Sequence, residues 1–288
     1  MSTTLSYWRN CMAAEGLSPR TIDERTAFIL RMKRGTGADA RTVTRRQLIE
    51  WMAGQHWAPK TRAHYRSTLH TFFTWLQDEE LRPDNPAARL PSIRVPKRTP
   101  TPFTVAEINA LLNSGVYFKT RAMILLHYAM GLRVSEIARI HSRDVNHVAR
   151  TLSVLGKGSK PVELPMPDAV WELALQMPAV GYWFPNWNRN AMFEAGEGHI
   201  LGRSVSDVLS DAIKRAGIHR RPHDLRAATA TEMNRHGASA FTTQHAMRHS
   251  NMATTTMYTG IDIEQVREGL NLLPRLEMPS VVQRRKVA

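Results

Sequence analysis

One cysteine, Cys11, is present in 288 residues. A lone thiol excludes an intrachain disulfide and any metal site built on paired cysteines. No apolar run reaches the length of a membrane-spanning helix, and no N-terminal stretch has the layout of a secretory signal. A reducing, cytosol-like compartment without a membrane partner is therefore expected. There is no P-loop, no dinucleotide fingerprint and no His-Glu-x-x-His, so nucleotide-driven, dinucleotide-dependent and zinc-protease chemistries lack their usual residues. Acidic side chains are scarce: 25 Asp+Glu stand against 39 Lys+Arg, for a net charge of +14 and a pI of about 10.6. That imbalance favours a polyanionic partner, nucleic acid before membrane.

Hydrophobic content of 42% and charged content of 22% are those of a globular chain long enough for two cores. Residues 1–90 read as all-helical. Leu5, Trp8 and Met12 recur at helical spacing. Ser18-Pro19 opens a helix to about Arg34, and Gly35-Thr36-Gly37 is expected to break it. Thr44 and Gln47 form a capping-box pattern, and Pro59 opens a longer helix to about Glu80. Basic residues gather in Arg45-Arg46 and in Lys60, Arg62 and Arg66; the last three, with His64, are expected to line the N-terminal half of the long helix and face DNA. A solvated helix face is the alternative. Residues 91–103 form a linker kept extended by four prolines, with Arg94, Lys97 and Arg98 and no acidic residue.

A second domain, 104–288, starts with the capping-box pair Thr104 and Glu107. Helices are expected over 119–130, 133–140, 167–177, 203–216, 222–236, 240–247, 252–258 and 263–272. Thr151–Leu155 and Pro161–Leu164 read as strands joined by Gly156-Lys157-Gly158-Ser159-Lys160, a hairpin composition. Residues 181–200 are aromatic-rich and have no regular pattern. The tail runs from about 262 to the end. The predicted class is mainly α with a small β-hairpin.

The stretch Arg221-Pro222-His223-Asp224-Leu225-Arg226 places His223 and Arg226 three apart near a helix start, on one face. A guanidinium and an imidazole at a helix N-terminus suit an anion, phosphate above all. Three more motifs stand in fixed order around it: Gly131-Leu132-Arg133-Val134-Ser135-Glu136, the Lys157 turn, and His249 followed nine residues later by Tyr258. Twelve histidines include His245 and His249 at i,i+4, but no Cys pair or His-Glu-x-x-His accompanies them, so no metal or other cofactor is expected.

Together these motifs resemble the tyrosine recombinase (phage integrase) family, over most of residues 104–260. The resemblance implies a helical core-binding (SAM-like) domain at 1–90 and a mixed α+β catalytic domain at 104–288. It implies attack by Tyr258 on a DNA phosphodiester, giving a 3′-phosphotyrosine and a free 5′-hydroxyl. Arg133 and Arg226 would hold the non-bridging oxygens, which suits a planar, permanently charged fork. Lys157, with Lys160 as its competitor on the same turn, would protonate the leaving 5′-oxygen. His223 would assist proton transfer at the tyrosine, His249 would hydrogen-bond the phosphate, and Glu136 would support the site. Two departures stand out: Ala227 follows the second arginine where His or Lys is frequent, and Arg248 precedes the last histidine where glycine is common.

The resemblance further implies double-stranded attachment sites, four protomers exchanging strands through a Holliday junction, and an accessory directionality factor, in a bacterial cytoplasm. The chain begins directly in the core-binding bundle, which fits a compact phage or mobile-element integrase without an arm-binding domain. The alternatives are a Xer-type recombinase that resolves dimers, a DNA-binding protein without catalysis, and a type IB topoisomerase.

Overall fold

A computed structural model of the protein describes residues 3–96, 101–155, 161–248 and 263–276. The chain divides into two compact units, Met1–Arg98 and Thr99–Ala288. Among the described residues there are twelve α-helices and three short strands. The mainly helical class with a small sheet, expected from the sequence, is what the structure has.

The first unit holds α1 (Thr3–Ala14), α2 (Pro19–Thr36), α3 (Arg45–Ala53) and α4 (Pro59–Asp78). Each start follows from local chemistry. The Ser18 hydroxyl accepts from the Thr21 amide, and Pro19 occupies a first-turn position whose N–H has no helical partner. At α3, Thr44 and Gln47 satisfy each other's backbone amides, as their spacing predicts. The expected break at Gly35 is incorrect: Gly35 and Thr36 remain helical, and Gly37, at φ 66°, ends the helix. Gly35 serves close packing, since a Cβ there would lie 1.9 Å from Trp51 Nε1. The core joins Trp8, Met12, Ile29, Met32, Leu48, Leu69, Phe72, Phe73 and Leu76, all nearly or fully buried. These apolar positions recur at three- and four-residue spacing, so each helix turns one stripe inward.

In the second unit, α5 (Val105–Asn113) starts on the Thr104–Glu107 capping box. Next comes α6 (Phe118–Ala129), in which every residue from Thr120 to Ala129 is buried. A helix buried on all sides belongs at the centre of a core, and the rest of the unit packs around this one. A short α7 (Val134–Arg139) follows. The expected hairpin is a three-stranded antiparallel sheet in the order β1-β2-β3: β1 (Val145–Asn146), β2 (Thr151–Leu155) and β3 (Pro161–Pro165). Its register pairs Val154 with Val162 and Leu155 with Pro161. The strand β1 escaped the sequence reading because two residues carry no alternation.

Then α8 (Asp168–Ala174) ends three residues short of the expected Met177. The unpatterned stretch 181–200 is held by isolated bridges, His141 to Tyr182 and Pro185 to His199, and drops Trp183 and Phe184 into the core. The remaining helices are α9 (Gly202–Arg215), α10 (Pro222–Arg235), α11 (Ala240–Met247) and α12 (Ile263–Asn271). The expected helix at 252–258 lies outside the described residues. Val266 and Leu270 of α12 cluster with Met233 and Ala246, so α12 packs on its own unit. Arg267 fastens it further, donating to the carbonyls of Ala149 at 2.8 Å and Met166 at 2.9 Å.

The start of α9 presses on α7. A Cβ on Gly202 would meet the Ser135 Cα at 2.9 Å and its backbone nitrogen at 3.1 Å. Backbone cannot rotate away, so Gly202→Ala should force the two helices apart and lower the unfolding free energy by about 1–3 kcal/mol in urea titration. Gly217→Ala is the control: its site has φ +71° and open space around it, so only the conformational cost of about 1 kcal/mol should appear.

Candidate active site

The site is built where four helix ends meet. After α6 the chain turns through Gly131, at φ +56°, where a Cβ would also press on Met247 Sδ at 2.8 Å. Glycine is required there twice over, by backbone conformation and by space. The next residue, Leu132, is fully buried. Its carbonyl accepts from His127 Nδ1. This turn delivers Arg133 to the N-terminus of α7. There Glu136 reaches back one turn: Oε2 accepts from the Arg133 amide at 2.7 Å and Oε1 from Arg133 Nη1 at 2.9 Å. One carboxylate therefore caps the helix and orients the guanidinium. Glu136 is buried, while the Arg133 side chain keeps 38% of its surface.

Arg226 lies on the inner face of α10, buried to 2% exposure. Its Nη1 donates to the Gly131 carbonyl and its Nη2 to the Met247 carbonyl. Both acceptors lie just beyond or at the end of a helix, where carbonyls lack intrahelical partners and carry partial negative charge. Arg133 Nη2 binds the next carbonyl, that of Arg248, at 3.1 Å. The two arginines, far apart in sequence, thus grip consecutive carbonyls at the end of α11. Burial, reinforced by Arg133 and Arg248 and opposed by Glu136, pushes the Arg226 pKa down to about 10, so it is charged at neutral pH.

His223 occupies the first turn of the same helix and is exposed. The spacing argument put it on the face of Arg226; the structure keeps it on the rim, with the arginine beneath. Asp224 caps this helix by accepting from the Arg221 amide at 2.9 Å. The structure therefore brings Arg133, Glu136 and Arg226 together, with His223 at the edge. Lys157, Lys160, His249 and Tyr258 lie outside the described residues.

A residue absent from the expected set joins this group. Arg248 ends α11 in the left-handed conformation, φ 48°, and its Nη2 binds Glu136 Oε2 at 2.8 Å. Burial pushes its pKa down, Glu136 opposes this and Arg133 adds to it. The one signal in the sequence is an arginine where a glycine is common.

Beside Arg133 a cleft of about 840 Å³ runs along β2, lined by Arg139, His141, Arg143, Tyr182 and His199 among others. The rings of His141 and Tyr182 meet edge to face with centroids 4.8 Å apart. His141 Nδ1 accepts from the Arg143 amide, which leaves Nε2 to carry the ring proton.

The basic residues proposed for the first unit do not form one stripe. Residues 60 and 62 are separated by about 200° around a helix, so Lys60 and Arg62 cannot share a face. Lys60 is exposed. Arg62 Nη2 donates to the Gln55 carbonyl at 2.9 Å, and Arg66 Nε to the Leu90 carbonyl at 3.1 Å. Arg45 Nε binds the Arg89 carbonyl at 3.0 Å, and Arg46 pairs with Glu50 at 2.7 Å. Three of the five are thus carbonyl ties within the unit. Arg94 is exposed; Lys97 and Arg98 lie outside the described residues.

Comparison with known proteins places this geometry in context. The profile of the phage integrase family matches residues 101–265, more than half of the chain. Tyrosine recombinase XerD of Yersinia pestis is 32% identical over 218 residues, covering 72% of this chain and 73% of its own. The integrase from mycobacterium phage Brujita is 34% identical, with a TM-score of 0.56 over 96% of this chain and 94% of that one. The structure of a lambda integrase tetramer bound to a Holliday junction has a TM-score of 0.68 over 91% of this chain and 80% of that one; at 18% identity it attests the fold alone.

Behind the site, His127 is buried at 1% exposure and its pKa is pushed from the ordinary 6.5 down to about 4, chiefly by burial, with the hydrogen bond to the Leu132 carbonyl opposing and the nearby His223 and Arg226 adding. The folded state therefore resists a proton that the unfolded chain accepts. Stability should fall as pH drops below about 6.5 and level off near 4, with a slope of at most about 1.4 kcal/mol per pH unit. The difference in unfolding free energy between wild type and His127→Gln, measured by urea titration across that range, should grow as pH rises.

Proposed function

The chain belongs to the phage integrase family of tyrosine recombinases and is a site-specific recombinase; from this we propose that Tyr258 is its nucleophile and that it integrates or excises a phage or mobile element. The observation that carries the site assignment is the convergence of Arg133 and Arg226 on the end of α11, immediately ahead of His249 and Tyr258 in the chain.

In the proposed reaction the Tyr258 oxygen attacks phosphorus. A P–O bond to tyrosine forms and the bond to the 5′-oxygen breaks. The tyrosine proton passes toward His223, and Lys157 returns a proton to the leaving oxygen. Arg133 and Arg226 stabilise the charge that grows on the non-bridging oxygens. Each terminal nitrogen of a guanidinium carries two hydrogens, so Arg226 can bind its carbonyls and still donate to phosphate. His249 adds a hydrogen bond, and Glu136 holds Arg133 in place. The phosphodiester energy stays in the phosphotyrosine link, and strand exchange needs no nucleotide.

Double-stranded DNA would lie along the cleft beside Arg133, where Arg139 and Arg143 supply charge for the backbone. Lys60 and Arg46 in the first unit, and Arg94, Lys97 and Arg98 in the linker, supply more. Four protomers on a Holliday junction are proposed by likeness to the lambda integrase assembly. A Xer-type role is the second reading, favoured by the 32% identity to XerD of Yersinia pestis. Recombination between two different sites, in one direction, supports the integrase; reversible recombination between like sites supports the Xer-type role.

The decisive experiment uses a duplex nicked just 3′ of a candidate cleavage position, taken from the DNA flanking the gene. Wild type should form an SDS-resistant adduct and Tyr258→Phe should form none. An adduct with both would move the nucleophile elsewhere, and none with either, on DNA that binds, would overturn cleavage. DNA affinity should also depend steeply on salt. With about six phosphates neutralised it should fall roughly a thousandfold between about 50 and 200 mM, read by fluorescence anisotropy. A flat profile would overturn the reading of these basic residues as phosphate contacts.

A further inference from the structure

Arg248 is a poor residue for stability at its position. It holds a left-handed backbone that a side chain disfavours. Its side chain is only 10% exposed, so a permanent charge has been taken out of water. Its Nε and Nη1 are buried and have no hydrogen-bond partner among the described residues. Glycine would remove all three penalties. What Arg248 does have is Glu136: Nη2 lies 2.8 Å from Oε2, on a carboxylate whose other oxygen holds Arg133 Nη1 at 2.9 Å.

Charge counting gives that contact a purpose. Glu136 and Arg133 alone form a neutral pair, leaving Arg226 as the only unbalanced charge of the group. Arg248 offsets the carboxylate, and the cluster of Arg133, Arg226, Arg248 and Glu136, buried except for Arg133, carries two unbalanced positive charges. A phosphodiester has one negative charge, and its phosphoryl oxygens gain more as the tyrosine oxygen adds. In a site of low dielectric, a second positive charge already in place favours that state over the bound substrate.

Resting on the recombinase reading above, we infer that Arg248 is a positioning residue for strand cleavage, acting through Glu136 to keep that carboxylate from cancelling the charge of Arg133. It is needed for the rate of cleavage more than for DNA binding.

The test is single-turnover adduct formation on the nicked duplex, beside DNA affinity at the same salt and thermal unfolding. Arg248→Gln should slow cleavage about tenfold or more while affinity changes less than about threefold. Arg248→Lys, which keeps the charge, should recover most of the rate. Arg248→Gly should cleave as slowly as the Gln variant yet unfold at the wild-type temperature or above. In a Glu136→Gln background the carboxylate is gone, so adding Arg248→Gln should cost less than about threefold more. Wild-type cleavage by Arg248→Gln would overturn the inference alone, as would equal rates for the Gln and Lys variants. A rate loss in Arg248→Gly matched by a lower unfolding temperature would also overturn it, by making the residue structural. Absence of any adduct with wild type would instead overturn the cleavage reading, and this inference with it.

Discussion

The burial of Arg226 is the constraint around which the second unit is arranged. A guanidinium away from water must have its donors satisfied. Two of them reach carbonyls from different parts of the chain, those of Gly131 and Met247. Each acceptor needs a particular local structure. Gly131 must take a positive φ and must lack a Cβ, because Met247 packs against it. Met247 must end its helix there, so that its carbonyl is free of a helical partner. Thr229, one turn along α10, adds a bond to the Tyr128 carbonyl. The same contacts that stabilise the fold therefore hold a positive charge at the floor of the site.

Glu136 organises the layer above. Its carboxylate serves a helix cap, one arginine and then a second. A single carboxylate among three guanidinium groups leaves a net positive site that is preorganised for an anion. That is the arrangement phosphoryl transfer demands, since its barrier lies mostly in charge that must be stabilised without rearrangement. Exposure is graded to match. Arg226 is buried, Arg133 is partly open, and His223 is exposed.

The first unit shows how charge in a sequence differs from charge on a surface. Arg45, Arg62 and Arg66 are half-buried or tied to carbonyls, and two of them fasten the segment that follows α4. Long basic side chains have apolar stems that pack and donor heads that close off free carbonyls. Net charge foretells an acidic partner, but it does not say which arginines meet that partner.

Local and periodic features were legible in the sequence because their causes are local. The Thr44–Gln47 and Thr104–Glu107 caps, Pro at the start of α2 and α4, and the apolar stripes of α1 and α4 depend on neighbours within one or two turns. Membership of the family was likewise legible, in the order of the Arg133, Lys157, His223–Arg226 and His249–Tyr258 motifs along the chain. Tertiary structure decided the rest. It kept Gly35 helical because Trp51 packs on it, ran 181–200 into the core through isolated bridges, and tied Arg62 and Arg66 to carbonyls. Above all it joined Arg248 to Glu136, residues 112 apart in sequence. No local pattern encodes such a contact, because it exists only once α7 and the end of α11 have been packed side by side.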